Sequence, residues 1–234
     1  LQRSILPKDE TFFESIELKG MSRQSKEVGG DFYDYLALGP STLGVAIGDA
    51  VGKGLPAAIL ITRCATLVRA FAEQGLPPDE LLTAVNHVLC RQFAKSGQFV
   101  TIFFGIVDVH NHRLVYSTAG HNPPLLIGRH SGEATWLGSA KGLPLGIEKD
   151  VSFGNHEVDF TLGDVLVLYT DGVTEAQNPQ FGLYGSQRLE RTAAAATKGD
   201  AKSILNAIDT DVTQFMEGHT VEDDITIVTI KANA

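Results

Sequence analysis

The chain is short of cysteine, of positive charge and of long apolar runs, and each shortage removes a class of protein. Only two cysteines occur in 234 residues, Cys64 and Cys90. That is too few for a disulfide framework, and no Cys/His set has the spacing of a zinc site. Both lie in helix-like apolar patterns and read as buried, reduced thiols. Lys and Arg total 19 against 28 Asp and Glu, a formal charge of −9, which argues against a general nucleic-acid binder because phosphate contacts need clustered cations. No apolar run approaches the roughly 18–20 residues that span a bilayer, and no signal peptide is apparent. The expectation is a cytoplasmic protein with no membrane insertion. Internal repeats, low-complexity tracts and charge blocks are also absent. There is no Gly-x-Ser-x-Gly elbow, which sets serine-nucleophile hydrolysis aside. The single tryptophan, Trp136, reads as a packing residue.

What is there points to a packed, strand-rich domain. Hydrophobic residues make up 43% and charged ones 20%, enough apolar material for a core. Twenty-four glycines against nine prolines indicate many turns. The chain opens on Leu1, and residues 1–7 read as a helix tail running into the stop at Pro7. The expectation is that residues 1–10 end an upstream linker helix and residues 11–234 form a single domain.

Apolar periodicity sets the elements. Residues 31–38 and 43–47 read as strands joined by Gly39-Pro40-Ser41-Thr42, a hairpin loop. If Leu38 pairs roughly with Leu43, Asp31 falls close to opposite Asp49 and Ala50. Leu60, Cys64, Leu67, Val68 and Phe71 then repeat at helical spacing, and Pro77-Pro78-Asp79-Glu80 opens a second helix. Strands return at 99–107, 113–117, 125–127, 152–160 and 165–169, with a hairpin turn at Asn111-His112. Two further helices cover 186–196 and 201–215, and 225–230 is a final strand. The fold expected is α+β: two antiparallel sheets packed as a sandwich, flanked by helix pairs.

Four aspartates sit at strand ends: Asp31, Asp49, Asp171 and Asp223, the last followed by Asp224. Antiparallel neighbours bring the end of one strand to the start of the next, so these acids are expected to meet at one rim. An aspartate at a strand end is commonly just a turn-former. Four together, beside Gly29-Gly30, Gly48 and Gly172, favour a ligand set, the glycines giving a ligand close access. Converging carboxylates cannot all stay ionised without cations, and oxygen-only donors suit Mg²⁺ or Mn²⁺. Two such ions would acidify a bridging water into a nucleophile and neutralise a phosphoryl group.

At these residues the chain resembles a family. Val28-Gly29-Gly30-Asp31-Phe32-Tyr33-Asp34, Gly48-Asp49-Ala50-Val51-Gly52-Lys53-Gly54 with Pro56-Ala57-Ala58, Thr170-Asp171-Gly172-Val173-Thr174-Glu175-Ala176 and Asp223-Asp224-Ile225-Thr226 are similar to the metal-dependent type-2C (PPM) protein phosphatases, in the bacterial SpoIIE/RsbU-like branch. Supporting segments are Phe99-Val100-Thr101-Ile102-Phe103, Ala119-Gly120-His121-Asn122-Pro123-Pro124, Leu143-Pro144-Leu145-Gly146-Ile147 and Phe181-Gly182. The ordered set spans nearly the whole chain. The resemblance implies two Mn²⁺ or Mg²⁺ ions and hydrolysis of phosphoserine or phosphothreonine in a protein. It implies that Asp49 bridges the metals, the Ala50 carbonyl ligates one, Asp31 acts directly or through water, and Asp171 and Asp223 complete the set. Asp224 stands where relatives outside the branch often carry Asn, which leaves Asp223 and Asp224 as alternatives.

The resemblance also has departures. Val51 lies where eukaryotic relatives often present a histidine as general acid, and their early phosphate-gripping arginine has no counterpart. Implied partners are a phosphorylated, anti-anti-sigma-type substrate and an upstream sensor or receiver module, through which a homodimer could form. That module would act on the helices between Leu55 and Phe93. Lys53 is either solvated or an orienting cation for phosphate. His121, in its Pro-rich loop, reads as structural, and the other histidines, His130 among them, form no ligand spacing. Besides an active enzyme, a scaffold that binds a partner protein and keeps the acids for stability is the alternative.

Overall fold

The computed structural model describes Pro7 and residues 11–93, 97–129, 132–138 and 142–233. Apart from Pro7, the linker helix expected at residues 1–10 lies outside the described residues, as does His130. The chain divides into two compact units, each built on one antiparallel sheet. This meets the expected α+β class of two antiparallel sheets with helix pairs.

Unit 1 comprises Leu1–Pro7, Lys26–Asn122 and Gly138–Phe160. Its strands are β3 (Asp31–Ala37), β4 (Thr42–Ala50), β5 (Val100–Asp108), β6 (Arg113–Ala119) and β9 (His156–Asp159), in that order across a five-stranded sheet. The β3–β4 hairpin pairs Ala37 with Leu43 and Asp31 with Asp49. This is one residue from the expected register, because Leu38 and Gly39 both donate to Thr42 O at 2.9 and 3.2 Å and close the loop. The turn into β6 puts His112 at φ 55. β9 is shorter than the expected 152–160. Asn155, instead of joining the ladder, accepts from Asp79 N–H at 3.0 Å in the first turn of the helix that opens at Pro78, and donates to Asp79 Oδ1 at 2.6 Å.

Helices α1 (Leu55–Glu73) and α2 (Pro78–Phe93) complete this unit. α1 starts after Gly54, with Pro56 in its first turn where a missing N–H leaves no bond unmade. At 19 residues α1 is long and apolar enough by length and composition to cross a membrane, which corrects the expectation that no segment approaches that limit. Its Leu60, Ile61, Cys64, Ala65 and Val68 are nevertheless buried in the unit 1 core against Phe32, Leu36, Leu82 and Phe104. Cys64 and Cys90 are free and buried as expected, and burial pushes the Cys64 thiol up to about 12.

Unit 2 comprises Lys8–Ser25, Pro123–Leu137 and Thr161–Ala234. Its sheet runs β1 (Thr11–Phe13), β2 (Ile16–Arg23), β11 (Ile225–Ala232), β10 (Val165–Tyr169), β7 (Leu125–Ile127), β8 (Ala134–Trp136). The last strand pairs with the second over eight positions, from Ile225 opposite Arg23 to Ala232 opposite Ile16. Helices α3 (Asp171–Thr174), α4 (Ser186–Ala196) and α5 (Ala201–Met216) belong here. Leu189 of α4 and Ile204, Ile208 and Val212 of α5 share a core with Val165, Val167 and Ile227. Asp200 caps α5, accepting from Ser203 N–H at 2.7 Å. Tyr184, Arg188 and Thr192 all bond Asp211, joining α4 to α5 at 2.7–2.9 Å. Trp136 packs edge-on against Tyr169 and donates to Glu190 at 2.9 Å.

Four elements have no counterpart in the sequence reading. β1, β8 and α3 are three or four residues long, below the length at which periodicity is visible. β2 alternates, but its Lys19-Gly20 step and scattered polar residues mask the pattern.

Candidate metal centre

The first acidic pair is set by strand register in unit 1. Asp31 begins β3 and is buried at 4% exposure, directly opposite half-buried Asp49 near the end of β4. The ladder continues one step past them, with Ala50 N–H donating to Gly30 O at 3.0 Å. A Cβ at Gly30 would lie 2.9 Å from Ala50 O and 3.2 Å from Asp49 Oδ1. Glycine therefore keeps clear the space beside two oxygen donors, a cradle that any side chain would fill. On the far side of β4, Asp49 pairs with Thr101, whose hydroxyl meets His121 Nδ1 at 2.9 Å. His121 is 1% exposed, and this buried bond to a neighbouring strand agrees with its structural reading. Gly48 works differently from the expectation. A Cβ there would strike the Phe32 ring at 2.7 Å and Thr101 O at 2.9 Å, so its room is taken by the protein rather than by a ligand.

The second pair is assembled in unit 2. β10 ends at Tyr169, and Thr170 turns the chain so that Asp171 opens α3 instead of closing the strand. Thr170 is fully buried and stitches the two segments together. Its N–H donates to Thr226 O, and its hydroxyl accepts from Thr226 N–H, each at 3.1 Å. Gly172 brings α3 hard against the start of β11, since a Cβ there would sit 2.0 Å from Asp224 O. Here too the glycine admits backbone, not ligand.

Asp223 and Asp224 differ in burial and in hydrogen-bond partners. Asp224 is 5% exposed, and its Oδ1 accepts from the Ser25 N–H at 2.7 Å and hydroxyl at 3.0 Å, which ties the loop after β2 to the start of β11. Asp223 is half-buried and accepts from Asp224 N–H at 2.9 Å, a local turn that holds its carboxylate in place. Among the described residues no three or more His, Cys, Asp or Glu side chains gather into an ion site.

Within unit 1, the Asp31 and Asp49 carboxylates and the Ala50 carbonyl are oxygen donors of the kind hard divalent cations take, with Gly30 beside Asp49 and Ala50. Lys53 is exposed, between Gly52 and Gly54 at φ 90 and 76. Sequence reading missed Arg69. From α1 it donates 2.7 Å bonds to both oxygens of buried Asp34. By strand alternation Asp34 shares a face with Phe32 and Leu36, both packed into the core with α1. Burial raises the Asp34 carboxyl above its ordinary range, and the Arg69 charge pulls it back. A contact 35 residues apart leaves no periodic signal.

Comparison with solved structures defines the fold class. The PP2C domain of SiaA from Pseudomonas aeruginosa superimposes with TM-score 0.84 over 98% of this chain and 92% of that one, at 21% identity. RsbX, solved in complex with magnesium, gives 0.71 over 95% and 98%, at 16% identity. This is the PP2C phosphatase fold. Residues 39–233 match the family described as Stage II sporulation protein E (SpoIIE), and the chain belongs to that family. Phosphoserine phosphatase RsbU of Bacillus subtilis (strain 168) is 26% identical over 218 residues, covering 93% of this chain and 64% of RsbU. The chain spans between 40% and 64% of the length of the curated relatives it matches.

Proposed function

We propose that the chain is a divalent-metal-dependent serine/threonine phosphatase acting on a phosphorylated signalling protein, of the anti-anti-sigma type. The observation that carries the reading is Asp31 opposite Asp49, with Gly30 clearing the space beside Asp49 Oδ1 and Ala50 O. Kinship with a phosphoserine phosphatase supports a phosphorylated serine as the substrate side chain. Asp31, Asp49, the Ala50 carbonyl, Asp171 and Asp223 would hold two Mn²⁺ or Mg²⁺ ions. Asp224, with two bonds from Ser25 on one oxygen, is read as the anchor that positions Asp223. Bound ions would supply Lewis-acid neutralisation of the phosphoryl group and lower the pKa of water. Thr101 and His121 brace β5 behind Asp49, and Gly172 sets the spacing between Asp171 and the start of β11. Exposed Lys53 would orient the incoming phosphate. Val51 offers no proton, so the leaving alkoxide takes its proton from water.

A Mn²⁺-titrated assay on p-nitrophenyl phosphate and a phosphoserine protein tests this. Asp49→Asn and Asp171→Asn should each lower turnover at least about 100-fold, with calorimetry showing weakened Mn²⁺ binding by a folded protein. A folded, Mn²⁺-binding wild type without turnover would establish the scaffold alternative. The upstream module is read as a regulator acting through α1 and α2. Fusing a dimeric upstream module should raise activity, and equal activity with and without it would exclude that role.

A further inference from the structure

Residues 176–185 of unit 2 form a hairpin that leaves α3 and returns to α4. Gln177 bridges Leu183, Tyr184 N–H donates to Ala176 O, and Gly185 N–H donates to Thr174 O, both bonds at 2.9 Å. The hairpin is thus tied to the helix that begins with Asp171. Its tip is closed from within. Phe181 N–H donates to Asn178 O at 2.9 Å across Pro179, and Asn178 Oδ1 collects the Gln180 and Gly182 N–H groups at 3.1 and 2.7 Å. The loop has its shape without help from any ligand.

Phe181 follows this turn at φ 60, the left-handed position that such hairpins ordinarily give to glycine. A bulky aromatic is disfavoured there. It gains little from the core, since Phe181 is 74% and Leu183 57% exposed. Its aromatic neighbour is His219, edge-on at 6.1 Å, four residues before Asp223. Neither turn chemistry nor packing accounts for two large apolar side chains on a closed surface loop. A partner would.

We propose that this hairpin is a docking element for the phosphoprotein substrate, Phe181 and Leu183 covering apolar residues that flank the phosphorylated side chain. The proposal rests on the phosphatase reading above. Continuity selects this occupant. The hairpin is bonded to the Asp171 helix, and Phe181 reaches the segment leading to Asp223, so a chain seated on it lies beside two of the proposed ligands. Two side chains supply far less than the roughly 1,200 Å² that a stable dimer buries, but they suit a contact made and broken at every turnover.

The test compares two phosphoserine peptides of equal length and charge, one with leucines flanking the phosphoserine and one with serines. For the unmodified chain the leucine peptide should have about tenfold higher kcat/KM, the effect of partly burying one apolar side chain. In Phe181→Ser/Leu183→Ser, with circular dichroism confirming the fold, the ratio should fall to near one. A preserved ratio would overturn the proposal. Fluorescence anisotropy with the unphosphorylated leucine peptide reads docking without turnover. Equal affinity for both proteins would also overturn it, while absent turnover with docking intact would fault the phosphatase reading alone.

Discussion

Gly172→Ala is the most exposing perturbation of the candidate centre. The added methyl would sit 2.0 Å from Asp224 O and 2.9 Å from Asp224 C, against the 3.4 Å at which ordinary contact begins. The obstacle is backbone, so no side chain can swing aside, and α3 and the start of β11 must part by about 1.4 Å, the difference of those distances. Overpacking of this kind costs roughly 1–3 kcal/mol, and a backbone obstacle places this case near about 3. For a domain of this size that lowers the melting temperature by about 6–12 °C. The displacement also separates Asp171 from Asp223, and a misplacement of about 1 Å costs on the order of 100-fold in rate. Scanning calorimetry and a Mn²⁺ titration of turnover measure the two effects. Gly154→Ala is the control, since a methyl there meets nothing within 4 Å. If Gly172→Ala melts with the control and retains its turnover, the close approach described here is wrong.

Two further predictions follow from titrating groups. Burial holds the Asp34 carboxyl above its ordinary value of 3.8, opposed by Arg69, so its favourable contribution is complete below 3.8 and is lost as pH rises through the raised value. Removing the opposing charge deepens that loss, so Arg69→Ala should cost about 1–2 kcal/mol at pH 7, allowing for the half-exposed arginine, and much less at pH 4. A cost in urea unfolding that does not change with pH would refute the pairing. The Arg188 hydrogen bond leads the causes that hold Asp211 well below the carboxylate range. Its contribution is therefore present above 3.8 and lost as pH falls through the lowered value, and Asp211→Asn should cost about 2 kcal/mol at pH 7 and progressively less in acid. Equal costs at pH 7 and pH 3 would contradict this.

Elements longer than about ten residues, and strands that alternate cleanly, were readable from the sequence because burial imposes the period. α4 begins and ends at the expected residues, while β7 and β10, too short or too fully buried to alternate, were readable as short apolar runs and match their expected spans. The Asp31–Asp49 pairing was readable to one residue because a short loop leaves a hairpin few registers. β2 was not readable, since its partner β11 lies some 200 residues away and its own pattern is blurred by Lys19 and Gly20. The roles of Ser25, Arg69 and Thr170 were hidden for the same reason, each resting on one contact made across a long stretch of chain. The sequence marks these glycines but could not say whether a Cβ there would meet carboxylate and carbonyl oxygens, as at Gly30, or the backbone of a neighbouring segment, as at Gly172.

The pairing of β11 with β2 has a consequence for synthesis. The eight-residue ladder from Arg23 to Ile16 waits for residues 225–232, which leave the ribosome some 200 residues later. Most of unit 1, by contrast, is one contiguous stretch, Lys26–Asn122, and its helices and hairpins can assemble while translation continues. β2 must meanwhile stay unpaired along the edge that β11 will take, a slow, long-range closure that exposes a strand edge. Loss of β11 would therefore split this sheet in two, leaving β2 only β1 as a neighbour and β10 only β7.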